Sequence, residues 1–248
     1  MSFPARSLGR LVDALDRDGV IVVPCPVGYV AATSSASGVD RIFELKGRDR
    51  SRSLSVGGCP LHEGRRYLQE LAGLGDLELS ALGATMGLIG TRRPGAPATP
   101  EGVGTEASLA LFVGLGPILE ALAAVQRAAG RALYLTSANA SGTGNAVLAS
   151  QLPPALRGDG VTALLDDSRI PVAQRSRRPA PASPMVRLGP RPTWVREGAN
   201  QELVAWQLAL AGLEPRWPGD TEGDTEAADR RVLFRSESSL RSGGAGAG

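Results

Sequence analysis

Leu133-Tyr134-Leu135-Thr136-Ser137-Ala138-Asn139-Ala140-Ser141-Gly142 is an apolar run that breaks into hydroxyl, amide and glycine residues. It reads as a strand ending in turn punctuation. Ligands of open α/β sheets gather beyond the carboxyl ends of strands, which makes Ser137 and Asn139 candidate contacts to a polar ligand. The same residues also suit an ordinary strand-to-helix turn, so a second stretch has to decide.

That stretch runs from Asp40 to Val56 and includes Lys46-Gly47-Arg48-Asp49-Arg50-Ser51-Arg52-Ser53-Leu54. Val39, Ile42, Phe43 and Lys46 recur at helical spacing, Gly47 is a stop signal, and Leu54 to Val56 begins a strand. Lys46, Arg48, Arg50 and Arg52 then fall on a short connection. Alternate residues of an extended segment point the same way, so the four cations are expected on one side, where they would attract a polyphosphate. A solvated basic loop, partly neutralised by Asp49, is the plainer outcome.

In order and at this separation, the two stretches resemble the YrdC-like family of threonylcarbamoyl-AMP synthases. That family's signature is Lys-x-Arg-x-x-x-Lys-Pro-Leu followed far downstream by Thr-Ser-Ala-Asn-x-Ser-Gly. Thr136 to Gly142 match the second element in full; Lys46, Arg48, Arg52 and Leu54 match the first, with Ser53 where proline is usual. The resemblance covers roughly Leu8 to Gly198. It implies an α/β chain of mixed α+β type: a twisted open mixed β-sheet with flanking helices and a basic concave face.

The rest of the chain fits one large domain or one domain with an appendage. With 248 residues, 42% of them apolar, there is ample material for a core. No stretch of about 20 apolar residues is present, so no membrane span is expected, and the first residues lack the pattern of a signal peptide. Cys25 and Cys59 fit reduced thiols in a cytoplasm. Cys59-x-x-His62 has no partner pair for a metal, and His62 is expected to open a helix through Tyr67, Leu68 and Leu71. A net charge of +2 does not argue for nucleic acid, although basic clusters at 41–52 and 175–196 keep RNA in view. The expected division is a YrdC-like nucleotide-binding domain over 1–200, a C-terminal helix over 201–213 and a disordered tail over 214–248.

Ser7 to Arg17 reads as the first helix, with Leu8, Leu11, Val12 and Leu15 on one stripe. Val20-Ile21-Val22-Val23 is a continuous β-branched run, the mark of a strand buried on both faces, and Pro24 is expected to end it. Thr91 to Gly104 reads as a long mobile loop able to close over substrate. Leu109 to Val113 is a strand and Pro117 to Ala129 a helix. Asp166-Asp167 reads as a solvated turn rather than a Mg²⁺ site.

Departures from the family pattern fall in the substrate pocket. Relatives carry Pro-Thr-Asp/Glu-Thr-Val-Tyr-Gly-Leu where this chain has Pro24-Cys25-Pro26-Val27-Gly28-Tyr29-Val30-Ala31, keeping the proline and the tyrosine. Cys25 replaces a threonine hydroxyl and reads as a small buried hydrophobe rather than a catalytic thiol; Pro26 removes an acid and a backbone donor. Phe112 stands where relatives carry an arginine that faces the substrate, and an apolar ring cannot pair with a carboxylate. Ser183-Pro184-Met185-Val186-Arg187 and Arg196-Glu197-Gly198 match the family's nucleotide-lining segments in part.

The resemblance therefore implies an ATP-dependent adenylate-forming enzyme. It would join an amino acid or other carboxylate with bicarbonate and release pyrophosphate, acting on threonine for tRNA modification or, given the altered pocket, on another carbamoylated or acyl substrate. Lys46 and Arg48 would be its catalytic cations, Arg52, Ser137, Asn139, Ser183 and Arg196 its nucleotide contacts, and Cys25, Tyr29 and Phe112 its substrate pocket, with Mg²⁺ assisting. A transferase that uses a carbamoyl- or acyl-adenylate, with tRNA or a partner transferase downstream, and a nucleotide- or RNA-binding module without catalysis are the alternatives. There is no P-loop and no dinucleotide fingerprint.

Overall fold

The computed structural model describes residues 5–140, 143–176 and 180–217. The chain runs α1 (Ala5–Asp16), β1 (Val20–Cys25), β2 (Gly28–Thr33), α2 (Ala36–Lys46), β3 (Ser55–Gly57), α3 (Leu61–Gly64), α4 (Asp76–Ala81), β4 (Met86–Thr91) and β5 (Ser108–Val113). It continues through α5 (Pro117–Ala128), β6 (Leu133–Ser137), β7 (Val161–Ala163), α6 (Val172–Arg175), β8 (Met185–Arg187), β9 (Thr193–Arg196) and α7 (Gln201–Leu210). Among the described residues nine strands form one mixed sheet in the order β7-β1-β2-β6-β3-β5-β4-β8-β9. Three of its pairs, β1/β7, β3/β5 and β4/β8, are parallel and the rest antiparallel.

Both faces of the sheet are covered, as the Val20–Val23 run requires. Val20 and Val22 join Tyr29, Val56 and Leu111 in a core with Ile42 and Phe43 of α2. Ile21 and Val23 point the other way, into a second core with Leu11 and Leu15 of α1 and Leu119 and Leu122 of α5. This is the period-2 alternation of a strand buried on both sides. Among the described residues no helix is long and apolar enough to cross a membrane.

Helix α2 places the basic segment. Ser35 caps its start by accepting from the Gly38 amide at 3.1 Å, and Gly47 ends it in the left-handed region at φ 53°, ψ 40°. The helix sits close to β2 because Gly38 has no side chain: a Cβ there would lie 1.8 Å from Thr33 Oγ1.

Several expectations need correction. Pro24 does not end β1 but pairs within it, opposite Tyr29. The strand tolerates it because β7 has already stopped pairing at Val22 and the Tyr29 amide donates to Ala146 O, so no ladder bond needs the missing N–H. The helix expected after His62 is only the single turn of α3. Residues 67–69 are drawn instead to the end of β4, where Gln69 N donates to Thr91 O and Arg93 N to Tyr67 O.

Residues 92–104 are tied down rather than poised as a lid. Leu54 N donates to Gly102 O at 2.7 Å and Val103 is buried. Helix α7 packs on the first core through the buried Val204 and Leu208. Residues 214–217, expected in the disordered tail, are held instead: Trp194 N donates to Arg216 O, and Trp217 stacks on Trp194 with ring centroids 5.8 Å apart. Residues 218–248 lie outside the described residues.

Candidate nucleotide and substrate cavity

The carboxyl end of β6 and the end of α2 meet over the concave face of the sheet. Lys46 Nζ donates to Ser137 O and, at 2.8 Å, to Asn139 O. Lys46 is 7% exposed, and burial, with Arg48 and Arg52 nearby, lowers its pKa to about 7. Arg48 donates through Nε to Arg52 O at 2.6 Å and through Nη2 to Ser53 O at 3.1 Å, and burial beside Arg52 lowers its pKa too. Lys46 and Arg48 thus rest on carbonyls rather than carboxylates, and their charge is left for an anion.

Arg50 departs from the expected row of four. Asp49 Oδ1 accepts from Ser51 N at 2.8 Å and Asp49 O from Arg52 N, so 49–52 is a turn and alternation does not apply. Arg50 swings outward to pair with Asp40 at 2.6 Å and to lie 5.0 Å over the Phe43 ring. Arg52 stays with Lys46 and Arg48.

The cavity these residues line has a volume of about 410 Å³. Lys46, Arg48, Arg52, Ser137, Asn139, Ser183, Arg196, Cys25, Tyr29 and Phe112 all belong to its walls, with Thr136, Thr143, Asn145 and Met185. These ten residues assigned to the site from the sequence therefore line one cavity, without Arg50, although their contacts differ. Ser137 Oγ donates to Asn139 Oδ1, and Asn139 Nδ2 donates to Thr143 O at 2.6 Å and Ala140 O at 3.0 Å. Asn139 spends its amide bracing the loop, and Ser137 presents hydroxyl lone pairs rather than a free proton. Ser141 and Gly142 of the motif lie outside the described residues. Arg196 donates through Nε and Nη2 to Ser183 O, at 3.0 and 2.8 Å.

The floor is apolar. Phe112 of β5 and Met185 of β8 face the bare Gly87 of β4, where a Cβ would meet Phe112 Cζ and Met185 Cγ each at 3.0 Å. Leu115 and Leu135 continue it. Cys25 is 3% exposed and its thiol is pushed up to about 11 by burial, so it sits there protonated. Cys25 and Leu115 also bound a second cavity of about 350 Å³, lined further by Pro26, Pro117, Asp166 and Arg169.

The acidic pair divides: Asp166 fits the expected solvated turn and Asp167 does not. Asp167 Oδ1 accepts from Tyr29 OH and from Ala149 N, each at 2.7 Å, which fixes the Tyr29 ring and, with burial, raises its pKa. Asp166 caps Ser168 N and pairs with Arg169 at 2.9 Å. Among the described residues no Asp or Glu lines the first cavity, so a Mg²⁺ there would find hydroxyl and amide oxygens from them but no carboxylate. Two wall-building residues escaped the sequence reading. Asn145 Nδ2 donates to Val27 O at 2.9 Å, and Gln174 Nε2 donates to Val27 O and Pro181 O at 3.2 and 2.6 Å.

Comparison with known proteins places this geometry. No curated protein matches the chain. Among solved structures, a hypothetical protein from Streptococcus mutans UA159 superposes with a TM-score of 0.66 at 19% identity, over 83% of this chain and 92% of that one. Sua5 from P. abyssi, solved in complex with L-threonine, gives 0.65 at 16% identity over 90% of this chain and 63% of its own. HypF, solved in a phosphate- and nucleotide-bound form, gives 0.58 at 15% identity, over 77% of this chain and 28% of its own. At these identities the likeness is one of fold. The Sua5/YciO/YrdC family model, described as "Telomere recombination", matches residues 13–177, and the chain belongs to that family.

Proposed function

We propose that the chain forms an acyl- or carbamoyl-adenylate from ATP, on a carboxylate substrate other than threonine. The observation that carries this is the convergence of Lys46, Arg48 and Arg52 with Ser137, Ser183 and Arg196 around one cavity of about 410 Å³. A substrate carboxylate would attack the α-phosphate, an O–P bond would form, and the bond to the β-phosphate would break with pyrophosphate leaving. What such a step needs from a protein is positive charge fixed against the phosphates before reaction and little reorganisation during it. Arg48, held on backbone carbonyls, supplies fixed charge, and Lys46, held likewise, joins it when protonated; the braced 137–139 loop supplies rigidity. Mg²⁺ would arrive with the nucleotide, and no step is assigned to it.

The argument against threonine comes from the floor. Phe112, Met185 and Leu135 offer a polar side chain or a second carboxylate no partner, and unpaired polar groups weaken binding steeply. The HypF neighbour was solved with phosphate and nucleotide, which supports a nucleotide-using reading of this fold, and the Sua5 neighbour was solved with L-threonine, which supports an amino acid or related carboxylate as the second ligand.

The test is pyrophosphate release from ATP with bicarbonate and a panel of amino acids, and separately with short carboxylates. Release with a member of the panel other than threonine, lost in Lys46→Met, is the expected result. Nucleotide binding without release across the panel would favour the transferase reading instead. No nucleotide binding at all would end both.

A further inference from the structure

We propose that Gln174 is a positioning residue that sets the spacing of two opposite walls of the cavity. One wall is the tip of the β1–β2 hairpin, where Cys25, Val27 and Tyr29 line the space; the other is the segment 181–184, where Ala182 and Ser183 do. The side chain of Gln174 touches both. From α6 its Nε2 donates to Val27 O and to Pro181 O, while the residue is 5% exposed.

The wall at 181–184 is built to be held from outside. Its four successive carbonyls each accept from a different element: Pro181 O from Gln174, Ala182 O from Ala199 N, Ser183 O from Arg196, and Pro184 O from Gly87 N. Three of these donors belong to β4, β9 and the residues after β9, and fix the segment to its own side of the sheet. Gln174 alone of the four also bonds the hairpin. At the hairpin, Val27 O takes a second donor, Asn145 Nδ2, from the loop after β6. Removing Asn145 would therefore loosen one wall, whereas removing Gln174 would uncouple two.

A primary amide suits this place because one nitrogen carries two protons at a fixed angle and no charge, so a buried residue can bridge two carbonyls without desolvating an ion. Glutamate in its place would aim acceptors at acceptors.

The consequence for ligands rests on the proposed nucleotide function, but the spacing of the walls does not, and the two are tested separately. Hydrogen exchange on the full chain without ligand is measured first, for wild type, Gln174→Met, Gln174→Glu and Asn145→Ala. Faster exchange in both Cys25–Val30 and Ala182–Ser183 for the Gln174 variants, with β6 unchanged, and faster exchange in the hairpin alone for Asn145→Ala, is expected. Loosening of only one wall, or of neither, in a folded Gln174 variant overturns the proposal. Then ATP affinity is measured in a double-mutant cycle of Gln174→Met with Ser183→Ala. We expect about tenfold weaker binding for Gln174→Met and a loss in the double variant clearly smaller than the product of the single losses, because a displaced Ser183 has little left to lose. Strictly multiplicative losses would mean that Gln174 contributes stability only. If wild type binds no ATP, the functional reading fails, and the exchange result still decides the role of Gln174.

Discussion

Lys46 Nζ lies 2.8 Å from the carbonyl oxygen of Asn139, a contact across 93 residues of sequence. It joins the end of α2 to the loop after β6, the two segments whose motifs mark this family. The contact holds a buried cation on backbone dipoles, in the company of Arg48 and Arg52 and without a carboxylate to neutralise it. Such an arrangement lowers the cost of binding a polyanion, because the repulsion among the cations is already present before the ligand arrives and is relieved by it.

The first prediction follows from the proton on Lys46, whose pKa is lowered to about 7. A bound polyphosphate favours the charged amine and raises that value, so above about pH 7 binding must take up a proton. ATP affinity should fall as pH rises beyond this point, by up to about tenfold per unit. Calorimetry at pH about 8 in two buffers of different ionisation enthalpy should show proton uptake in wild type and none in Lys46→Arg, which stays charged. The stability of the free protein has the opposite dependence. The unfolded chain, whose lysine titrates near 10.5, binds more protons between about 7 and 10.5, so stability attributable to Lys46 rises with pH across that window. Lys46→Met should flatten this part of the melting curve against pH.

Much of this site was legible from local chemistry. Gly47 as a helix stop, the β-branched run at Val20 and the punctuation after Leu135 are each decided within a few residues, and the fold kept them. What local chemistry could not show depended on partners far along the chain. Arg50 turns away because Asp49 closes a tight turn on Ser51, and Pro24 fits a strand because β7 has stopped beside it. Gln174 and Asn145 meet the carbonyl of Val27 across 147 and 118 residues, and no spacing rule connects a side-chain amide to a carbonyl that distant. Asp167 looked like half of a solvated pair for the same reason: its partners, Tyr29 and Ala149, come from other segments.

A second prediction separates the basic side chains. Arg48→Lys keeps a charge but cannot span Arg52 O and Ser53 O from a planar fork, so the 48–53 turn should loosen and ATP affinity drop by about tenfold. Arg50→Ala removes an exposed pair with Asp40, for which little change in stability and no change in nucleotide affinity are expected. Equal losses of affinity in the two variants would show that Arg50 reaches the ligand after all. Titration with ATP at fixed salt measures both.

A third prediction concerns Gly198. A Cβ there would stand 2.2 Å from Pro184 N, 2.4 Å from Ala182 O and 2.5 Å from Ser183 C, all of them backbone atoms with little freedom to yield. Gly198→Ala should therefore destabilise the fold by about 2 kcal/mol or more, and displace the wall that carries Ser183. Thermal and urea denaturation give the first effect. A folded variant with unchanged stability would mean that segment 181–184 is more compliant than its four held carbonyls imply.

The last prediction addresses the floor. Phe112 packs over Gly87 beside Met185 and limits what can lie there. Phe112→Ala removes a half-buried ring, at a cost of about 1–3 kcal/mol, below the range for fully buried rings because part of the ring already faces the cavity. The space it leaves is bordered by Met185 and Leu135, so a longer aliphatic carboxylate should gain over a shorter one. In pyrophosphate release with a homologous series of carboxylates, the ratio of rates for long against short members should rise by about tenfold, since one or two buried methylenes are worth roughly that much. A ratio unmoved by the substitution, in a variant that still binds ATP, would place the acyl group elsewhere in the cavity and leave the Phe112 floor to the base of the nucleotide.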